Sequence, residues 1–107
     1  MDLTNKAIIK ELLEKYNAKP EKYLGQHFIL SKKALRKMIE AAEIKKTDTI
    51  VEIGPGLGTL TRELAENPAC RQAGGAKIIA VEKDPLMNEI LKETLADFKN
   101  IKIIRAD

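Results

Sequence analysis

Cysteine is almost missing from this chain: Cys70 is the single one among 107 residues. One thiol closes no internal disulfide and builds no cysteine metal cluster, which excludes a disulfide-stapled scaffold and a zinc ribbon. Tryptophan is absent, and His27 is the only histidine, so a histidine metal site is excluded as well. Aromatic side chains number four (Tyr16, Tyr23, Phe28 and Phe98), too few for a platform on which single-stranded RNA bases would stack. Long apolar runs are also lacking. "TIVEI" and "KIIAV" are far shorter than the roughly 20 residues of a membrane span. The opening "MDLTNKAIIK" has no basic segment followed by an apolar core, so no secretory signal is read there and the expected location is the cytoplasm.

What remains is ordinary for a globular domain. The chain is 44% hydrophobic and 33% charged, which argues against disorder, and its length suits one domain. The net charge of +3 is unevenly spread. Residues 1–47 hold eleven Lys and Arg against six Asp and Glu, and residues 48–107 hold eight against ten. The basic front third could face a polyanion. On charge alone, the simpler reading is that its "KK" pairs are solvated faces of amphipathic helices.

Periodicity divides the chain. Thr4 is placed to cap a first helix running to about Asn17, with Ala7, Ile8, Leu12, Leu13 and Tyr16 at helical spacing. Pro20 and Gly25 break that pattern, and Ser31 caps a second helix with Leu35, Met38, Ile39 and Ala42 on its inner side. The rhythm then changes. "TIVEI" reads as a buried strand, a helix follows from about Gly58 to Glu66, and "NPACRQAGGA" reads as a loop. "KIIAVE" is a second strand. Asp84 and Pro85 open a helix carrying Leu86, Ile90, Leu91 and Leu95, and "NIKIIRAD" holds a third strand. The expected fold class is α/β: two N-terminal helices (residues 1–47), then a βαβαβ half of a doubly wound parallel sheet (residues 48–107). A sheet of three strands leaves edges that normally find partners.

"VEIGPGLGTL", Val51 to Leu60, joins the first strand to its helix, where doubly wound sheets bind ligands. A nucleoside triphosphate loop needs a Gly-Lys-Ser/Thr that is missing here. A dinucleotide loop, G-x-G-x-x-G, fits Gly54 and Gly56 but places its third glycine at Thr59, one position beyond Gly58. The pattern E/D-x-G-x-G-x-G of S-adenosylmethionine loops fits from Glu52 through Gly58. Glu82 ends the second strand 28 positions after Gly54, where a carboxylate can accept from two ribose hydroxyls. Asp107 follows the third strand, where it could hold an adenine amino group or stand merely solvated.

"YLGQHFILSKKALRKMIEAAEI", "DTIVEIGPGLGTLTREL", "IIAVEKDP" and "IKIIRAD" together resemble the ribosomal RNA adenine dimethyltransferases, above all the bacterial small-subunit enzymes. The resemblance covers about Tyr23 to Asp107. It implies a Rossmann-like methyltransferase fold, S-adenosylmethionine as cofactor, and small-subunit rRNA or a pre-ribosomal particle as partner. It further implies that His27 and Ile29 line the cofactor pocket, Gly54 lies under the methionine part, Glu82 holds the ribose, and Asp107 flanks the adenine. Macrolide-resistance enzymes acting on large-subunit rRNA rank second. The Asn-Leu-Pro-Tyr type of motif that holds the target adenine in this family is not found in these residues, so no catalytic residue is assigned and the chain alone is expected to be inactive. A second possibility is a non-catalytic, self-associating form that dimerises through an exposed Thr49–Ile53 edge, and a third is a dinucleotide-binding fragment.

Overall fold

The structure, a computed structural model, describes residues 1–19 and 31–107. Along them run α1 (Lys6–Lys15), α2 (Lys32–Ala42), β1 (Thr49–Ile53), α3 (Thr59–Glu66), α4 (Pro68–Arg71), β2 (Lys77–Glu82), α5 (Pro85–Thr94) and β3 (Ile101–Arg105). The strands form one parallel sheet in the order β1-β2-β3, with Val51 beside Ile79 and Glu82 beside Arg105. The alternation of two helices with three strands matches the βαβαβ expectation.

Four of the five described helices start at a side-chain cap, and α3 starts at Gly58 without one. The cap of α1 is Asn5, whose side chain accepts from the N–H groups of Ala7 and Ile8. Thr4 was the expected cap, but its N–H and hydroxyl both donate to the Asp2 carboxylate, which leaves Asn5 at the helix threshold. Ser31 caps α2 by accepting from the Ala34 N–H. Asp84 caps α5, with Pro85 at the first helical position where a missing N–H costs nothing. The segment expected to be plain loop contains α4, because Asn67 accepts from the Ala69 N–H just ahead of Pro68.

Two apolar clusters hold the elements together. In one, Ile9, Leu12 and Leu13 of α1 meet Leu57, Met87 and Ile90. Burying each such side chain contributes about 1.5–3 kcal/mol. Ile9, rather than Ala7, completes the inner stripe of α1, since Ala7 is exposed. Lys15 and Tyr16 both donate to Glu93 Oε1, at 2.6 and 2.7 Å, and tie the end of α1 to α5. In the second cluster, Ile39, Leu64, Ala65, Cys70, Ala76 and Ile78 pack with Ile50 and Ile101. Met38 and Ala42 of α2 lie outside it, exposed.

The expectation that β1 is a buried strand is met on one face only. Val51 and Ile53 are 56% and 76% exposed, whereas Ile50 and Glu52 are half-buried. The reason lies in the topology. Strand order β1-β2-β3 makes every crossover step in the same direction, and right-handed connections then put α3 and α5 on one face. That face carries Ile50, Ile78 and Ile101, and the other carries Val51, Ile53 and Ile79.

Candidate functional site

The loop between β1 and α3 begins where the ladder ends. The Gly54 N–H donates to the Val81 carbonyl at 2.9 Å, which extends the β1–β2 pairing by one residue. The chain then turns with φ of +68° at Gly54, +60° at Gly56 and +93° at Gly58, conformations that side chains disfavour. Gly54 and Gly58 face different surroundings. A Cβ on Gly58 would lie 3.0 Å from Thr94 Oγ1, 3.1 Å from Leu91 Cδ2 and 3.2 Å from Leu95 Cδ2, so this glycine lets α5 come close behind the loop. A Cβ on Gly54 would meet nothing within 4 Å among the described residues. One glycine serves packing, and the other leaves the front of the loop open.

Glu82 organises the end of β2. It is 7% exposed, and its two carboxylate oxygens accept from different backbone segments. Oε1 takes the Gly56 N–H at 3.1 Å and Oε2 takes the Asp84 N–H at 2.9 Å. Its carbonyl accepts from Asn88 Nδ2 at 2.9 Å and from the Ala106 N–H at 3.2 Å. One residue thus holds the glycine loop, the start of α5 and the end of β3. A carboxylate has about four lone-pair sites, so two remain after the bonds from the described residues are counted.

A second acid acts behind the loop. Glu52 shares its strand face with Ile50 and points toward the helices, where Thr61 Oγ1 donates to its Oε1 at 2.6 Å. Burial pushes the Glu52 carboxyl above the ordinary range, and the Thr61 hydroxyl partly pulls it back. The pair bridges the two ends of the glycine loop. Sequence reasoning used Glu52 only as a motif letter and passed over Thr61 and Asn88. Strand parity with Ile50 was the signal that would have turned Glu52 inward.

Of the five expected cofactor residues, Gly54, Glu82 and Asp107 belong to this end of the sheet. Gly54 and Glu82 are joined through the loop they share. Asp107 is exposed and follows Ala106, which is bonded to the Glu82 carbonyl. His27 and Ile29 lie outside the described residues. A broad, open cleft of about 1210 Å³ lies at the opposite end of the sheet, lined by Thr49, Gly74, Lys77 and Phe98 among others. It shares no residue with the glycine loop. The carboxyl ends of the strands remain the place where such sheets hold small ligands.

The description "Ribosomal RNA adenine dimethylase" matches residues 17–107. A relative from Dehalococcoides mccartyi named ribosomal RNA small subunit methyltransferase A is 43% identical over 98 residues, covering 92% of this chain and 31% of its own length. The protein of that name from Streptococcus mutans is 38% identical across 100% of this chain and 34% of its own length. Methanopyrus kandleri has a probable one at 46%, over 90% of this chain and 32% of its own. The chain therefore spans about a third of the length of these curated relatives. Among solved structures, the 23S rRNA methyltransferase ErmE superposes with a TM-score of 0.63 at 33% identity, over 76% of this chain and 30% of that one. A dimethyladenosine transferase from Plasmodium falciparum gives 0.60 at 30%, over 76% and 28%. Methyltransferases of other kinds, such as coclaurine N-methyltransferase with a TM-score of 0.59 at 22% identity, share the fold. On this match of sequence and fold, the chain belongs to the ribosomal RNA adenine dimethylase family.

Proposed function

We propose that this chain binds S-adenosylmethionine at the carboxyl ends of β1 and β2, as the donor-binding part of an rRNA adenine N6,N6-dimethyltransferase acting on adjacent adenines of small-subunit rRNA. The observation that carries this reading is the buried Glu82 carboxylate, held by the Gly56 and Asp84 N–H groups beside a glycine whose front meets none of the described residues. The residues fit the ligand. Glu82 keeps acceptor sites for a ribose diol, and Gly54 presents no Cβ to the methionine part. Asp107 stands by the strand end for the adenine, and His27 and Ile29, the remaining expected cofactor contacts, lie outside the described residues. When bound, the cofactor supplies an activated methyl group. The protein groups around it bind and orient. Names of relatives at 38–46% identity favour small-subunit rRNA, or a pre-ribosomal particle containing it, over the large-subunit target of the 33% identical ErmE.

The 107 residues bind the donor and do not transfer its methyl by themselves, because none of them is assigned to hold the target adenine. Titration calorimetry with S-adenosylmethionine tests the first half. Heat with the parent and none with Glu82→Ala is expected, with NAD giving no heat in either. Binding of NAD in place of the methyl donor would refute it. Robust dimethylation of a small-subunit rRNA fragment by the purified chain would refute the second half.

A second reading rests on a different observation. β1 is an edge strand with Val51 and Ile53 exposed. Such an edge invites a second copy, and the chain is expected to form a homodimer through Thr49–Ile53. Light scattering that gives a monomer mass at high concentration would refute this.

A further inference from the structure

The charge on α2 is arranged against the helix that carries it. Lys32, Lys33, Arg36 and Lys37 occupy its first six residues, its first turn holds no acid, and its last turn holds no base. The helix macrodipole favours the reverse order, anions at the N-terminus and cations at the C-terminus. Lys32 with Arg36, and Lys33 with Lys37, are also like-charged pairs at i,i+4, which repel. At 100° per residue the four cations fall within an arc of about 140°, beside the buried Leu35 and Ile39. All four residues are exposed. Lys32 stands 4.0 Å from Asp2, and the other three form no ion pair among the described residues. Glu40, one turn further along the same face, pairs with none of them. Among the described residues, no ion pair offsets the charge of Lys33, Arg36 or Lys37.

We propose that the Lys32–Lys37 face of α2 docks the phosphate backbone of RNA. The four cations share one arc and are all exposed, as a solvated face would be, and among the described residues no carboxylate pairs with three of them. A row of cations at the positive end of a helix complements a polyanion, and phosphate contacts fix register without reading sequence. The choice of RNA as occupant rests on the proposed rRNA substrate.

The test compares the parent chain with the triple variant Lys33→Gln, Arg36→Gln, Lys37→Gln, which spares Lys32 and its partner Asp2. Binding of a fluorescein-labelled single-stranded RNA 20-mer is followed by anisotropy between 50 and 200 mM salt. Each phosphate contact contributes a slope of about −0.7 in log K against log salt on single strands. Losing three contacts should reduce the slope by about 2. The ratio of parent to variant affinity should then be about twenty-fold larger at 50 mM than at 200 mM. Its thermal midpoint should stay level or rise, since repulsion has been removed, and Arg36→Lys alone should keep the parent's slope. An unchanged slope in the triple variant, or no RNA binding by the parent at 50 mM, overturns the proposal. S-adenosylmethionine titrations of both proteins keep the two ideas apart. Donor binding with an unchanged RNA slope sinks the α2 face alone. A weakened slope with no donor heat in either protein sinks the donor reading and leaves the face standing.

Discussion

Gly54→Ala and Gly58→Ala make a paired experiment on one loop. Both positions have positive φ, at +68° and +93°, so each alanine bears a conformational cost of about 1–2 kcal/mol. Only Gly58 adds a steric one. Its new methyl would sit 3.0–3.2 Å from Thr94, Leu91 and Leu95, against a helix that cannot retreat without opening the α1–α5 cluster. Overpacking of this kind costs about 1–3 kcal/mol. Thr94 Oγ1, the nearest atom, also donates to the Leu57 carbonyl at 2.8 Å, so pushing it aside strains a buried hydrogen bond. The expected loss is about 2–5 kcal/mol for Gly58→Ala and about 1–2 for Gly54→Ala. Against a total stability of about 5–15 kcal/mol, the first is severe and the second mild. Urea unfolding followed by circular dichroism measures both, and Gly58→Ala should lower the midpoint by about 1 M or more. Titration with S-adenosylmethionine should show the opposite ranking per unit of stability lost, with folded Gly54→Ala binding poorly. Equal destabilisation by the two alanines, or less than about 1 kcal/mol at Gly58, would refute the division of labour between the back and front of the loop.

Glu52→Gln should raise the thermal midpoint at neutral pH and leave it unchanged near pH 4. The folded carboxyl titrates above its unfolded value, so the parent loses stability as pH rises from about 4.5 through the folded pKa, and glutamine keeps an acceptor for Thr61 without that loss. A lower midpoint at neutral pH would contradict this. Thr59 Oγ1 is buried and has no hydrogen-bond partner among the described residues, so Thr59→Val should be neutral or stabilising in urea. A loss above about 1 kcal/mol would show that a water satisfies the hydroxyl in the small polar cavity it faces, beside Asp2 and Lys32. Tyr16 is pushed up to about 12 by its hydrogen bond to Glu93, then by burial. The contact therefore stabilises below pH 10, and its contribution is lost between about 10 and 12, a decline that Tyr16→Phe should lack in pH-dependent melts.

The elements legible in the sequence were those with a strong local cause. β1 and β2 were bounded correctly because β-branched runs stand between glycine and polar breakers, and the start of α5 was legible because Asp84 and Pro85 announce it, although that helix ends at Thr94, short of Leu95. Two misreadings came from competition between neighbours: Asp2 occupied Thr4, and Asn67 turned an apparent loop into α4. The exposure of Val51 and Ile53 was not legible, because it depends on which way the crossovers step. The site divides similarly. Gly54 and Glu82 follow from motif spacing, whereas the backbone donors on Glu82 and the Glu52–Thr61 contact require the folded chain.

The half-covered sheet also leaves a calorimetric signature. Heat capacity rises on unfolding in proportion to newly wetted apolar area, normally about 1.3–1.6 kcal/mol/K for a chain of this size. Val51 and Ile53 are already wet in the native state, so they add little to that increment. The increment should be lower by about 0.1 kcal/mol/K, toward the lower end of that range, and flatten the curve of stability against temperature slightly. Any molecule that came to cover that face would steepen the curve again.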